Sequence, residues 1–252
     1  MLRYVVMFLI SLILLEATEI GSRPAVIFAS GNNKFVLPQI VESFHEKYPD
    51  SKLIIQYGSS GDLTKSILDG VSYDVFLAAD MQRPTSVYLA KKAVNPPEIY
   101  AQGALILFVP SDKTLKQKKL TILKQKSIKH ISIANRKTAP YGKAAIEVLR
   151  QSGLYDKYSH KIQYSTDVST AITNVVWYDN AGFLSKSAVY TLPAGYNKEG
   201  INWIEVDQSL YTPILQGYVV SEAGLKNENS IKFIEFITSQ EGQTIYRAYG
   251  YR

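Results

Sequence analysis

Short apolar runs alternate along this chain with stretches whose apolar residues recur every three or four positions. Residues 25–29 (AVIFA), 53–57 (LIIQY), 74–79 (DVFLAA) and 104–109 (ALILFV) read as buried strands. Between them, Leu37, Ile40, Val41, Phe44 and Tyr48 share one helical face, as do Leu63, Ile67 and Leu68. The pattern resumes with a strand at 131–134, a helix at 143–151, a strand at 161–164, a helix at 168–178 and a strand at 182–184. A strand at 213–220 and two helices around 231–237 and 241–249 close the chain. Strand and helix in alternation with few hairpin signals predict an α/β fold built on mostly parallel sheets covered on both faces.

The N-terminus has a different pattern. Met1-Leu2-Arg3 precedes an apolar run at 4–15, followed by polar and small residues. That is the layout of a secretory signal peptide, about residues 1–18, with the cut expected between Ala17 and Arg23. The run is too short for a bilayer span of about 20 residues. The expectation is a periplasmic or secreted protein after signal-peptide cleavage.

Composition narrows the chemistry. The 252 residues contain no cysteine, which excludes disulfides, thiolate metal sites and thiol nucleophiles. His45, His130 and His160 lie far apart without ligand spacing, so no direct metal ligands are expected. A net charge of +6 comes from scattered basic residues, which argues for no nucleic acid while favouring an anionic ligand. No P-loop is present, and GSSG is not the nucleophile elbow of a serine hydrolase, so no catalytic residues and no enzyme activity are expected. Asp62, Asp74 and Asp80 read as caps and loop ends, and Trp177 and Trp203 as core or rim.

Four strand-to-helix junctions share one character: 29–33 (ASGNN), 58–61 (GSSG), 138–142 (TAPYG) and 165–169 (STDVS). Helix starts present unpaired N–H groups and the positive end of the dipole, and Ser or Asn adds neutral donors. Any one of these is an ordinary N-cap, the reading given to Asp167. Four together leave an anion cleft and a set of plain caps both open.

The order of these junctions, with YGSSGDLTKSILDG, YDVFLAAD, APYGKAA, DVSTAI, AGFLSKSA and a terminal SQEGQ, resembles the periplasmic molybdate-binding proteins of ABC importers (the ModA type), which are class II solute-binding proteins. The resemblance implies a two-lobed periplasmic-binding-protein fold, each lobe a sheet flanked by helices, with the ligand in the interlobe cleft. Lobe one would be 23–102 plus 207–252, and lobe two 103–206. It implies capture of molybdate, and of tungstate alongside it, by neutral donors at Asn32 or its neighbour Ser30, at Ser60, at Ala139 and Val168 through backbone N–H, and at Ser185. The register at Ala139 leaves Thr138 open. Ser185 stands where some members carry a tyrosine, and Tyr141 is the candidate substitute. No cofactor is implied beyond the ligand. The partners implied are a membrane permease and an ATPase, with the binding protein a monomer.

The alternatives are a phosphate- or sulfate-binding protein of the same fold, a secreted serine hydrolase using Ser59 or Ser60, and a signalling or adhesion module. Asp62, two residues past Ser60, is the residue through which a proton-bearing phosphate would be favoured, although a first-turn acid pointing outward is the simpler expectation.

Overall fold

A computed structural model describes residues 23–110, 112–178, 181–193 and 195–252. The expected signal peptide lies outside the described residues.

Two five-stranded sheets of identical plan organise the chain. The first has the order β2–β1–β3–β10–β4, from Leu53–Gly58, Ala25–Ser30, Val75–Leu77, Ile214–Val220 and Glu98–Gly103. The second runs β7–β6–β8–β5–β9, from Ile162–Ser165, Ile131–Ala134, Ala181–Ser185, Leu105–Phe108 and Trp203–Glu205. In each sheet the three strands at one side are parallel and the other two pairings are antiparallel. The sheets are therefore mixed rather than mostly parallel. The reason is the two passages between them, β4 to β5 and β9 to β10. A strand entering a sheet from the other lobe arrives at its antiparallel side.

Among the described residues, seven helices of two turns or more flank these sheets: α1 (Leu37–Lys47), α2 (Ser60–Leu68), α3 (Gln82–Leu89), α4 (Pro140–Gln151), α5 (Val168–Trp177), α6 (Glu228–Thr238) and α7 (Gln240–Ala248). The spacing of Leu37, Ile40 and Phe44 buries one face of α1, where Phe44 meets the edges of Phe233 and Phe236 at 5.7 and 5.8 Å. Phe28, Phe76, Val87 and Val219 fill the opposite face of that sheet. In the second sheet Phe108, Phe183, Leu149 and Val175 centre the core.

Two further expectations change, and one strand is new. The segment 53–57 forms β2 as an edge strand, with Ile54 and Tyr57 exposed, because the sheet stops there. β4 is a strand the sequence did not show, since EIYAQG lacks an apolar run; its pairing with β10 supplies the order that propensity does not. Trp177, at the end of α5, is 74% exposed and belongs to neither core nor rim, whereas Trp203 is buried.

Candidate functional site

All four polar junctions stand at the C-terminal ends of parallel strands, where helices begin. β1 runs into a 3-10 turn, Gly31–Phe35, before α1. β2 runs into α2, β6 leads to α4, and β7 leads to α5. In open α/β sheets this edge is where ligands sit.

Cross-lobe contacts bring the junctions together. Gly61 donates its N–H to the Thr138 carbonyl at 2.9 Å, which joins the second junction to the third. The approach is so close that a Cβ on Gly61 would stand 2.9 Å from Thr138 Cα. The first junction meets the fourth at Gly31, where a Cβ would lie 3.2 Å from Asp167 Cβ. The turn after β8 joins them: the Ser187 hydroxyl donates to Ser185 Oγ at 3.0 Å and lies 3.5 Å from the Asn32 carbonyl.

Each expected site residue has a definite place. Ser60 is buried on α2, and its Oγ accepts the Ala79 N–H at 2.9 Å. Its oxygen is fixed by that bond, and its hydroxyl proton has no acceptor among the described residues and is free to donate. Ser185 is fully buried; its Oγ accepts from Ser187, which leaves its own proton free in the same sense. Val168 is the first residue of α5. Its cap Asp167 accepts from the Thr170 N–H at 2.8 Å and from the Ser169 hydroxyl at 2.7 Å, so the N–H groups of Val168 and Ser169 stay unclaimed at the helix start.

Ser30, Asn32 and Ala139 differ from expectation. The Ser30 hydroxyl donates to Asn32 Oδ1 at 2.7 Å. Asn32 Nδ2 has both hydrogens committed, to Gln216 Oε1 at 2.9 Å and to the Tyr251 hydroxyl at 2.8 Å. These side chains brace the first loop, and the first-turn N–H groups of Gly31 and Asn32 are what that loop has left to offer. The Ala139 N–H goes to the Asn135 carbonyl at 2.8 Å. With Pro140 following and carrying no N–H, the free donors at the start of α4 are those of Tyr141 and Gly142.

Asp62 closes a reciprocal cap. Its N–H donates to Ser59 Oγ at 3.1 Å, and the Ser59 hydroxyl donates to Asp62 Oδ2 at 2.6 Å. The carboxylate is held by its own helix start, as a first-turn acid should be.

Beneath the first loop lies a network that the sequence did not reveal. Gln216, on β10, accepts from Asn32 and from the Tyr100 hydroxyl at 2.8 Å and donates to the Tyr141 hydroxyl at 3.0 Å. Asn33 Nδ2 bonds Ser30 Oγ at 3.0 Å and the Tyr100 hydroxyl at 2.8 Å. Burial pushes the Tyr251 phenol up to about 12 and those of Tyr100 and Tyr141 well above their usual value. All three stay protonated at neutral pH, so the network carries no charge. No lysine or arginine side chain bonds into it, and no cluster of metal-ligating side chains occurs, among the described residues.

Two α/β lobes joined by paired strand passages, with the polar helix starts of one in contact with those of the other, define a bilobal binding-protein architecture. The comparisons agree. Residues 25–252 match the bacterial extracellular solute-binding protein family. The molybdate-binding protein ModA of Rhodobacter capsulatus is 33% identical over 198 residues, 77% of this chain and 75% of that protein. ModA of Azotobacter vinelandii is 32% identical over 214 residues, 84% and 83% of the two chains. The solved structure of the Azotobacter vinelandii periplasmic molybdate-binding protein superposes with a TM-score of 0.81 at 25% identity, covering 90% of this chain and 98% of that one. The chain belongs to the bacterial extracellular solute-binding proteins, in the ModA group.

Proposed function

We propose that this protein captures a fully deprotonated tetrahedral oxyanion, molybdate with tungstate not distinguished, and delivers it to an ABC permease and its ATPase. The observation that carries this reading is the meeting of polar helix starts from the two lobes, at Gly61–Thr138 and at Gly31–Asp167; the Ser60 and Ser185 hydroxyls and the first-turn N–H groups of α4 and α5 are the neutral donors they would offer. The names of the ModA relatives support the choice of anion. Lobe one is residues 23–102 with 207–252, lobe two is 103–206, and the protein works as an exported monomer without catalysis or cofactor.

The energetics fit a reversible carrier. A hydrogen bond to a charged oxygen contributes about 1.5–3 kcal/mol. Five to seven of them, less the cost of ordering, reach roughly micromolar affinity or better. A site of donors alone disfavours phosphate, which carries a proton near neutral pH and would leave that proton buried without an acceptor.

One feature keeps phosphate as a second reading. Asn33 Oδ1 is a buried acceptor without a partner beside the Ser30 turn, and an acceptor is what a proton-bearing anion requires. Calorimetric titration with molybdate, tungstate, sulfate and phosphate at one ionic strength separates the readings. One-to-one heat from molybdate and tungstate alone supports the proposal, phosphate heat alone favours the second reading, and heat from none of the four defeats both.

A further inference from the structure

Two successive carbonyls of a lobe-two turn, those of Lys137 and Thr138, reach into lobe one. The Thr138 carbonyl takes the Gly61 N–H at 2.9 Å. The Lys137 carbonyl takes Arg83 Nη2 at 2.8 Å. Arg83, in the first turn of α3, is itself held twice by Asp80: its Nη1 donates to Oδ2 at 2.9 Å, and its backbone N–H donates to Oδ1 at 2.9 Å. Asp80 is tied to the sheet, because its own carbonyl accepts the Gly217 N–H at 3.3 Å. Both side chains are only 20% exposed.

The turn they grip is stiff. The Asn135 carbonyl accepts the N–H groups of Thr138 at 3.1 Å and Ala139 at 2.8 Å, and Asn135 Oδ1 accepts that of Lys137 at 3.0 Å. A hold on the Lys137 carbonyl therefore fixes Thr138, Ala139 and the start of α4 as one piece. The chemistry suits a guanidinium. One edge of the planar fork lies against a carboxylate that balances its charge, while the other edge donates to a neutral carbonyl. A charge-assisted bond is thus available to join the lobes at the cleft rim without placing a bare cation against the anion.

We propose that Arg83, oriented by Asp80, is the positioning residue that clasps the closed lobes and sets how long a bound oxyanion stays. The proposal rests on the capture reading above. It assigns Arg83 no contact with the anion: the residue acts through the Lys137–Ala139 turn.

Stopped-flow binding of tungstate to wild type, Arg83→Ala, Arg83→Lys and Asp80→Asn tests it. Loss of one charge-assisted bond from the closed form only should speed release by about tenfold or more and leave the association rate within about twofold. Arg83→Lys should fall between wild type and Arg83→Ala, because an ammonium reaches the carbonyl or the carboxylate but lacks the fork. A residue of merely structural importance would lower the unfolding midpoint and leave the release rate alone. Unchanged release in Arg83→Ala, or a slower association carrying the whole loss of affinity, overturns the clasp.

Hydrogen exchange at the Gly61 amide decides the matter without any ligand. Its acceptor, Thr138, is on the gripped turn, so its exchange should accelerate in Arg83→Ala relative to wild type in anion-free buffer. Equal rates overturn the clasp whichever anion is bound. A wild type that binds none of the four oxyanions while its Gly61 exchange still depends on Arg83 would defeat the capture reading and leave the clasp standing.

Discussion

Gln216 Nε2 donates to the Tyr141 hydroxyl at 3.0 Å, which joins the strand returning to lobe one to the first turn of a lobe-two helix. The bond passes directly over Gly103, where β4 ends and the chain crosses between lobes. A Cβ there would stand 2.1 Å from the Tyr141 oxygen. Tyr141 therefore fills the space beside the crossing, and its hydroxyl serves as an acceptor within the protein.

Tyr141→Phe removes that acceptor and leaves a buried amide hydrogen of Gln216 unpaired. The expected cost is about 1–3 kcal/mol of stability, read from urea unfolding. Gly103→Ala should cost at least as much, since both Tyr141 and Gln216 must move from their positions.

Ser60→Ala should weaken tungstate binding about tenfold or more by calorimetry, because an aimed donor to a charged oxygen is lost. It also strips the Ala79 N–H of its acceptor, so a fall of about 1 kcal/mol in stability should accompany it. Ser185→Ala should weaken binding with a smaller stability change, since the Ser187 hydroxyl it frees has the Asn32 carbonyl within reach.

Asp62→Asn breaks half of a cap at the start of α2. It should cost under about 1 kcal/mol in thermal unfolding and leave the preference among oxyanions as in wild type. A switch of preference toward or away from phosphate would place the carboxylate in the cleft.

Ionised Glu205 ties Lys186 of lobe two to Arg252 at the end of the chain, and acid breaks the tie. Burial opposes its ionisation, but hydrogen bonds from Lys186, at 2.6 Å, and from Arg252 outweigh it and hold the carboxyl below its usual value near 4.5. A lowered carboxyl pKa binds fewer protons in the folded chain than in the unfolded one. The stability it contributes is complete above the unfolded value and is lost as the pH falls through the folded value. Glu205→Gln should therefore flatten the acid limb of a plot of unfolding midpoint against pH, and bring wild type and variant together at the acid end.

Much of the fold was legible because its signals are local. Apolar runs marked β1, β5, β6 and β8, and helical spacing marked α1 and both C-terminal helices. β4 escaped because its order comes from pairing with β10, and pairing leaves no trace in six mixed residues such as EIYAQG. The site divides in the same way. The helix-start donors at Ser60, Val168 and the beginning of α4 follow from strand-to-helix order. The engagement of Asn32 with Gln216, 184 positions away, and with Tyr251, 219 away, depends on tertiary packing alone. Tyr100, Gln216 and Tyr251 gave no motif by which they could have been found, and the commitment of the Ala139 N–H to Asn135 is a matter of turn geometry.

The proposed function places a naked oxyanion among neutral donors of both lobes. Anomalous diffraction at a tungsten edge from crystals grown with tungstate tests it most directly. One strong peak in the cleft is expected, with tungstate oxygens at about 2.7–3.1 Å from Ser60 Oγ and from a first-turn nitrogen of α5. A peak held instead by lysine or arginine side chains at the surface, or an empty cleft at saturating tungstate, would contradict it.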